Sequence, residues 1–126
     1  MTELLFVYNA DGSVFAQLAD AAHKALSPRT YNCGLCMLTY GNLRMKPSWK
    51  RLVQSLDATV TFQHRDEFAR EHPSLATTTT LPAAFVRTDD TDDYAPFITA
   101  DEFNAMKSLD DLEKLVVARL SGAVGS

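Results

Sequence analysis

The chain holds two cysteines, Cys33 and Cys36, in a Cys-x-x-Cys spacing. That spacing serves two chemistries: closing a small reversible disulfide, or setting two thiolates on one metal ion, and each needs an accessible thiolate. If Asn32 caps a short helix here, the helix N-terminus and the basic residues nearby lower the Cys33 pKa and make it the nucleophile. A closed zinc site takes four ligands, so a metal reading must recruit more side chains. His23 is nearest in sequence and is the third-ligand candidate beside Cys33 and Cys36. The remaining option is two thiols packed beneath the surrounding segment, since free cysteine is commonly buried.

Other clusters offer less. Asp89, Asp90, Asp92 and Asp93 could face a hard cation, but the glycine and closing glutamate of a calcium loop are missing, and the run reads as a solvated hairpin tip. Asp66, Glu67 and Asp11 are general-base candidates on which no nucleophile converges, and His64 and His72 read as surface residues. Tyr31, Tyr40 and Trp49 interleave with basic residues as a single-strand stacking platform would. The net charge of −4 argues against a nucleic-acid partner, and core packing is the expectation for these rings.

The chain that must position these groups has 126 residues, 46% hydrophobic and 22% charged, which is the composition of one folded domain spanning 1–126. No apolar run approaches the roughly 18 to 20 residues of a membrane span. The opening residues lack a basic leader, a long apolar stretch and a cleavage site, so a cytoplasmic protein without a membrane partner is expected. Charge is unevenly spread. Residues 21–56 contain Lys24, Arg29, Arg44, Lys46, Lys50 and Arg51 and no acid, a formal +6 in a chain totalling −4, so the remainder carries −10. The basic segment either faces the acidic half of the same fold or offers a surface to an acidic partner or a second copy.

Hydrophobic periodicity sets the element order. Leu4 to Tyr8 is a short apolar run ended by Asn9-Ala10-Asp11-Gly12 and reads as a buried strand. Val14, Phe15, Leu18, Ala22, Ala25 and Leu26 recur at helical spacing up to Pro28. Cys33 to Tyr40 reads as a short helix, and Pro47 opens another whose face is Trp49, Leu52, Val53 and Leu56. Ala58 to Gln63 alternates as a strand does, and Asp66 to Glu71 is a polar helix anchored by Phe68 and stopped by His72-Pro73. Thr77 to Thr80 lead into an apolar strand over Leu81 to Val86, which pairs as a hairpin with Tyr94 to Ile98. Thr99 with Glu102 and Ser108 with Asp111 match capping boxes and start two closing helical segments.

The order β-α-(helical insert)-β-α-β-β-α resembles the thioredoxin-like superfamily, and Thr80-Leu81-Pro82-Ala83-Ala84-Phe85 is similar to the loop that bears its cis-proline. The resemblance implies an α/β fold: a central mixed four-stranded sheet flanked by helices, with a basic insert at about 28–56. It also implies that Leu81 and Pro82 shape a substrate groove. The chain departs from the family where it matters most. The family's redox cysteines follow the first strand directly, whereas here that place holds Asn9-Ala10-Asp11-Gly12 and the pair lies inside the insert. The Cys33-x-x-Cys36-x-Leu38-Thr39-Tyr40-Gly41 stretch also resembles that of small bacterial proteins, some described as nucleotide hydrolases, but no G-x-x-x-x-G-K-[ST] phosphate loop is present.

Two readings of function follow. In the first, Cys33 attacks as a thiolate and Cys36 resolves the mixed disulfide, the partner being a protein or small-molecule disulfide. In the second, the fold is a non-catalytic binding module that meets its partner through the basic insert, or a metal protein built on the cysteines. The thiol-exchange and binding-module readings call for no cofactor.

Overall fold

The structure is a computed structural model that describes residues 2–9, 34–39, 45–88 and 93–125, with side chains at 35, 38 and 39 in the second stretch and through 121 in the last. The helix expected before Pro28, His23, Cys33 and the aspartates at 89, 90 and 92 lie outside the described residues.

A mixed four-stranded sheet in the order β2-β1-β3-β4 forms the centre. Strands β1 (Glu3–Val7) and β2 (Thr59–Gln63) run parallel, with Val7 opposite Gln63. Strand β3 (Ala83–Arg87) runs antiparallel to β1, with Val7 opposite Ala83, and β4 (Ala95–Ile98) is antiparallel to β3. The carboxyl ends of β1 and β2 therefore share one edge with the start of β3 and the end of β4. This α/β arrangement is compatible with the thioredoxin-like order. The Leu81–Pro82 peptide bond just before β3 is cis.

Alternation along β1 sorts the core into two faces. Leu4, Phe6 and Tyr8 point to one face, where they pack with Trp49, Ala84, Phe103, Leu112 and Val116. That face is covered by α1 (Gly34–Thr39), α2 (Pro47–Ser55), α5 (Ala100–Ala105) and α6 (Leu109–Gly125). Leu5 and Val7 point to the other face, onto Phe68 of α3 (Arg65–Glu71), Ala83 and Phe85, with Leu75 of α4 (Pro73–Thr78) beside them. Each fully buried Phe or Leu of this kind stabilises the fold by about 1.5–3 kcal/mol.

The helix α4 was not legible as such: Thr77 and Thr78 end it instead of leading into a strand, and β3 starts at Ala83, two residues later than expected. Pro73 occupies its first turn, where a missing N–H costs nothing. The hydroxyls of Thr77 and Thr78 donate to the Ser74 carbonyl, one turn back, so the threonines satisfy themselves locally.

The β3–β4 ladder slips once. Ala84 faces Ile98 and Phe85 faces Pro96, so Phe97 is an extra residue on β4. Arg119 of α6 donates to its carbonyl at 2.8 Å and also pairs with Glu102. No helix among the described residues is long and apolar enough to cross a membrane.

Candidate functional site at the carboxyl edge of the sheet

Carried one residue beyond the paired strands, the register sets positions 64, 8 and 82 in a single row across β2, β1 and β3. The Tyr8 N–H donates to the Gln63 carbonyl at 2.9 Å, which continues the ladder to this row. Adjacent strands lie about 4.8 Å apart, so the row spans about 10 Å from His64 to Pro82. In open α/β sheets the crevice outside the strand carboxyl ends is where ligands bind.

Pro82 is buried, and Leu81 is half-buried against the Leu5, Val7, Phe68 and Phe85 cluster. The loop they form adjoins a groove of about 330 Å³ lined by Thr78 to Thr80, Ala83, Pro96, Thr99 and Asp101. The two substrate-groove residues expected from sequence thus stand at this edge.

Of the cysteine pair, Cys36 lies within α1 and Cys33 outside the described residues. Leu35, Leu38 and Thr39, three and four residues apart, are the buried positions of α1 and seat it on the Leu4, Phe6 and Tyr8 face. Thr39 donates from Oγ1 to the Leu35 carbonyl at 2.7 Å, and the Lys46 N–H donates to the Thr39 carbonyl at 2.7 Å, which ties the end of α1 to the approach of α2. Helix α1 packs against α5 and α6, and α5 begins directly after β4, at the Pro82 edge. The helix carrying Cys36 is therefore on the same face of the sheet as Tyr8.

The row also holds a constellation that sequence reasoning took apart. His64 and Glu67 were read separately, one as a surface residue and the other with Asp66 as a general-base candidate. In the structure the His64 backbone N–H donates to Glu67 Oε1 at 2.8 Å, and His64 Nδ1 lies 2.7 Å from the same oxygen. These two bonds hold the Glu67 carboxyl below the usual carboxylate range. The imidazole lies 5.7 Å from the Tyr8 ring, which itself stacks on Phe62 at 6.0 Å. The signal for this pair was the three-residue spacing His64-x-x-Glu67 directly after a strand, which places a carboxylate within reach of the residue that starts the helix.

The opposite end of the sheet carries a second concavity, about 500 Å³, lined by His72, Ser74, Arg87, Asp93 and Tyr94. There the Arg87 guanidinium lies 4.3 Å from the Tyr94 ring centroid and donates to Glu3 at 2.8 Å, so its charge is already engaged within the protein. Burial pushes the Tyr94 hydroxyl pKa up. Groups of three or more histidine, cysteine or acidic side chains able to hold a metal are absent among the described residues.

Protein-family models, curated proteins and solved structures were all compared with the chain, and none matches it.

Proposed function

We propose that the protein is a thioredoxin-like thiol–disulfide exchange protein in which Cys33 attacks, Cys36 resolves, and Leu81 and Pro82 flank the groove that receives the substrate disulfide. The observation that supports this reading best is the seating of α1. Although the cysteines fall after the expected first helix instead of before it, the helix bearing Cys36 lies on the Tyr8 face and packs against α5, which starts at the Pro82 edge. A displaced pair held there would work at the edge where the sheet order leads substrates to bind.

The experiment is a redox titration of the purified protein against glutathione, with thiol pKa and bound zinc measured in parallel. A reversible Cys33–Cys36 disulfide in the cytosolic potential range, lost in Cys33→Ser and Cys36→Ser, supports exchange. Stoichiometric zinc transfers the cysteines to a metal site. Two unreactive, metal-free thiols leave the second reading, a binding module, which the absence of cysteine at positions 9 to 12 favours.

A further inference from the structure

The two outer strands of the sheet are built differently. Strand β4 carries Pro96 and the extra residue Phe97, two devices that discourage another strand from pairing. Strand β2, at the other edge, has neither: Thr59-Val60-Thr61-Phe62-Gln63 holds no proline, glycine or charge, and its five residues pair with β1 in unbroken register. Thr59 and Thr61 are exposed, and the side chains of Val60 and Phe62 are only half-buried, so this edge is accessible.

The backbone of β2 is turned to offer a ladder. The Thr59 N–H donates to the Thr2 carbonyl and the Gln63 carbonyl accepts from the Tyr8 N–H, both at 2.9 Å. The N–H and C=O of one strand residue point to the same side, and successive residues alternate. Thr59, Thr61 and Gln63 therefore serve β1, while the N–H and C=O of Val60 and Phe62 point away from it. Among the described residues nothing pairs with those four groups.

Charge beside this edge has one prevailing sign on one face. Helix α2 lies over β1 and β2, its Trp49 ring 5.5 Å from that of Phe6 and 6.4 Å from that of Phe62. Between residues 45 and 58 the cations are Lys46, Lys50 and Arg51, and the one acid is Asp57. Lys50 and Arg51 are exposed, and none of the three cations forms an ion pair among the described residues, whereas Arg87, Lys114 and Arg119 are each held by a carboxylate. On the opposite face α3 mixes both signs, with Arg65, Asp66, Glu67, Arg70 and Glu71.

We propose that the β2 edge takes up an extended acidic segment of another protein as a fifth strand of the sheet. The backbone of the segment pairs with Val60 and Phe62, its carboxylates lie on the α2 face toward Lys46, Lys50 and Arg51, and β-branched residues between them lie against Thr59 and Thr61. A second copy of this chain fits less well. Antiparallel pairing of two β2 edges keeps like faces together and sets each α2 beside the other, cation against cation. The edge lies on the far side of β1 from Pro82, so the assignment does not depend on the cysteine chemistry.

The test uses the full chain and two short fluorescent peptides, one alternating valine with glutamate and the other valine with lysine. The glutamate peptide is expected to shift the NMR signals of the Val60 and Phe62 amides, to slow their hydrogen exchange, and to bind about tenfold more tightly than the lysine peptide at low salt. Lys50→Glu combined with Arg51→Glu should reverse that preference. Val60→Pro, which removes only an outward-facing donor, should weaken the glutamate peptide about tenfold. Failure of both peptides to bind, equal affinity for the two, shifts confined to other elements, or binding unchanged in Val60→Pro overturns the proposal. Protection of Val60 and Phe62 that grows with protein concentration in the absence of peptide assigns the edge to a second copy and overturns the acidic occupant. Lys50 and Arg51 are exposed, so the charge reversal leaves the core untouched and decides the matter even if Val60→Pro unfolds.

Discussion

Two stretches of the chain, His64-Arg65-Asp66-Glu67-Phe68 and Thr99-Ala100-Asp101-Glu102-Phe103, end in the same triplet and start helices in the same way. In each, the glutamate accepts from the N–H of the first residue, and the phenylalanine is wholly buried. They differ in what else the glutamate holds. Glu102 grips Arg119, which stays charged at every working pH, and the hydrogen bonds from Arg119 and Thr99 bring its pKa down to about 2. Glu67 holds the imidazole of His64, whose Nδ1 lies 2.7 Å from Oε1. One local device thus clasps a second helix at α5 and holds only the residue that opens its own helix at α3.

The most severe way to break the comparison is to remove the anchors. Phe68→Ala and Phe103→Ala should each cost about 3–5 kcal/mol in urea unfolding. Only the first should also disturb the His64 NMR signals, because Phe68 is what pins α3 onto Leu5 and Phe85. A cost under about 1 kcal/mol at either site would mean that the helix is not anchored there. Next comes the clasp. Arg119→Met should lower stability by about 2 kcal/mol, since it strips Glu102 of its partner and the Phe97 carbonyl of its donor.

Acid separates the two glutamates further. The folded Glu102 carboxyl sits at about 2 against an ordinary 4.5, so its contribution is complete above pH 4.5 and lost as the pH falls through 2. For a side chain one third exposed, solvent screening reduces this to about 1–2 kcal/mol. Glu102→Gln should flatten that part of the acid unfolding curve, and Glu67→Gln should flatten a smaller part lying closer to pH 4.5. The smallest effect is also the sharpest. His64→Thr recreates the α5 cap, so stability should stay within about 0.5 kcal/mol of wild type or rise. A loss of more than about 1 kcal/mol would mean that the imidazole holds the start of α3 by more than a cap.

Much of the frame could be read from residue patterns because its signals are local. The Leu4 to Tyr8 run, the alternation into Gln63, the Pro47 start, and the Thr99 and Ser108 caps each led to an element within about two residues of its observed bounds. The failures have a common cause in competing local preferences. Thr77 and Thr78 are β-branched and point to a strand, yet their hydroxyls return to the Ser74 carbonyl and let the Pro73 turn extend into α4. His64 was read as exposed because a lone histidine after a strand carries no apolar pattern. Its pairing with Glu67 becomes visible only once α3 is known to begin at Arg65. The sharing of a row by His64, Tyr8 and Pro82 depends on strand register, which joins residues far apart in sequence and leaves no local mark.

The Phe97 bulge bears on how this protein survives at high concentration. Strand β4 is outermost in the sheet, and an open strand edge is a template on which another chain can add itself, one copy after the next. Pro96 offers no N–H to an incoming strand, and the bulge carbonyl at Phe97 is already occupied by the Arg119 guanidinium. Both groups needed to start a ladder there are withheld. The clasp between α6 and β4 thus also occupies an edge acceptor that an added strand would use.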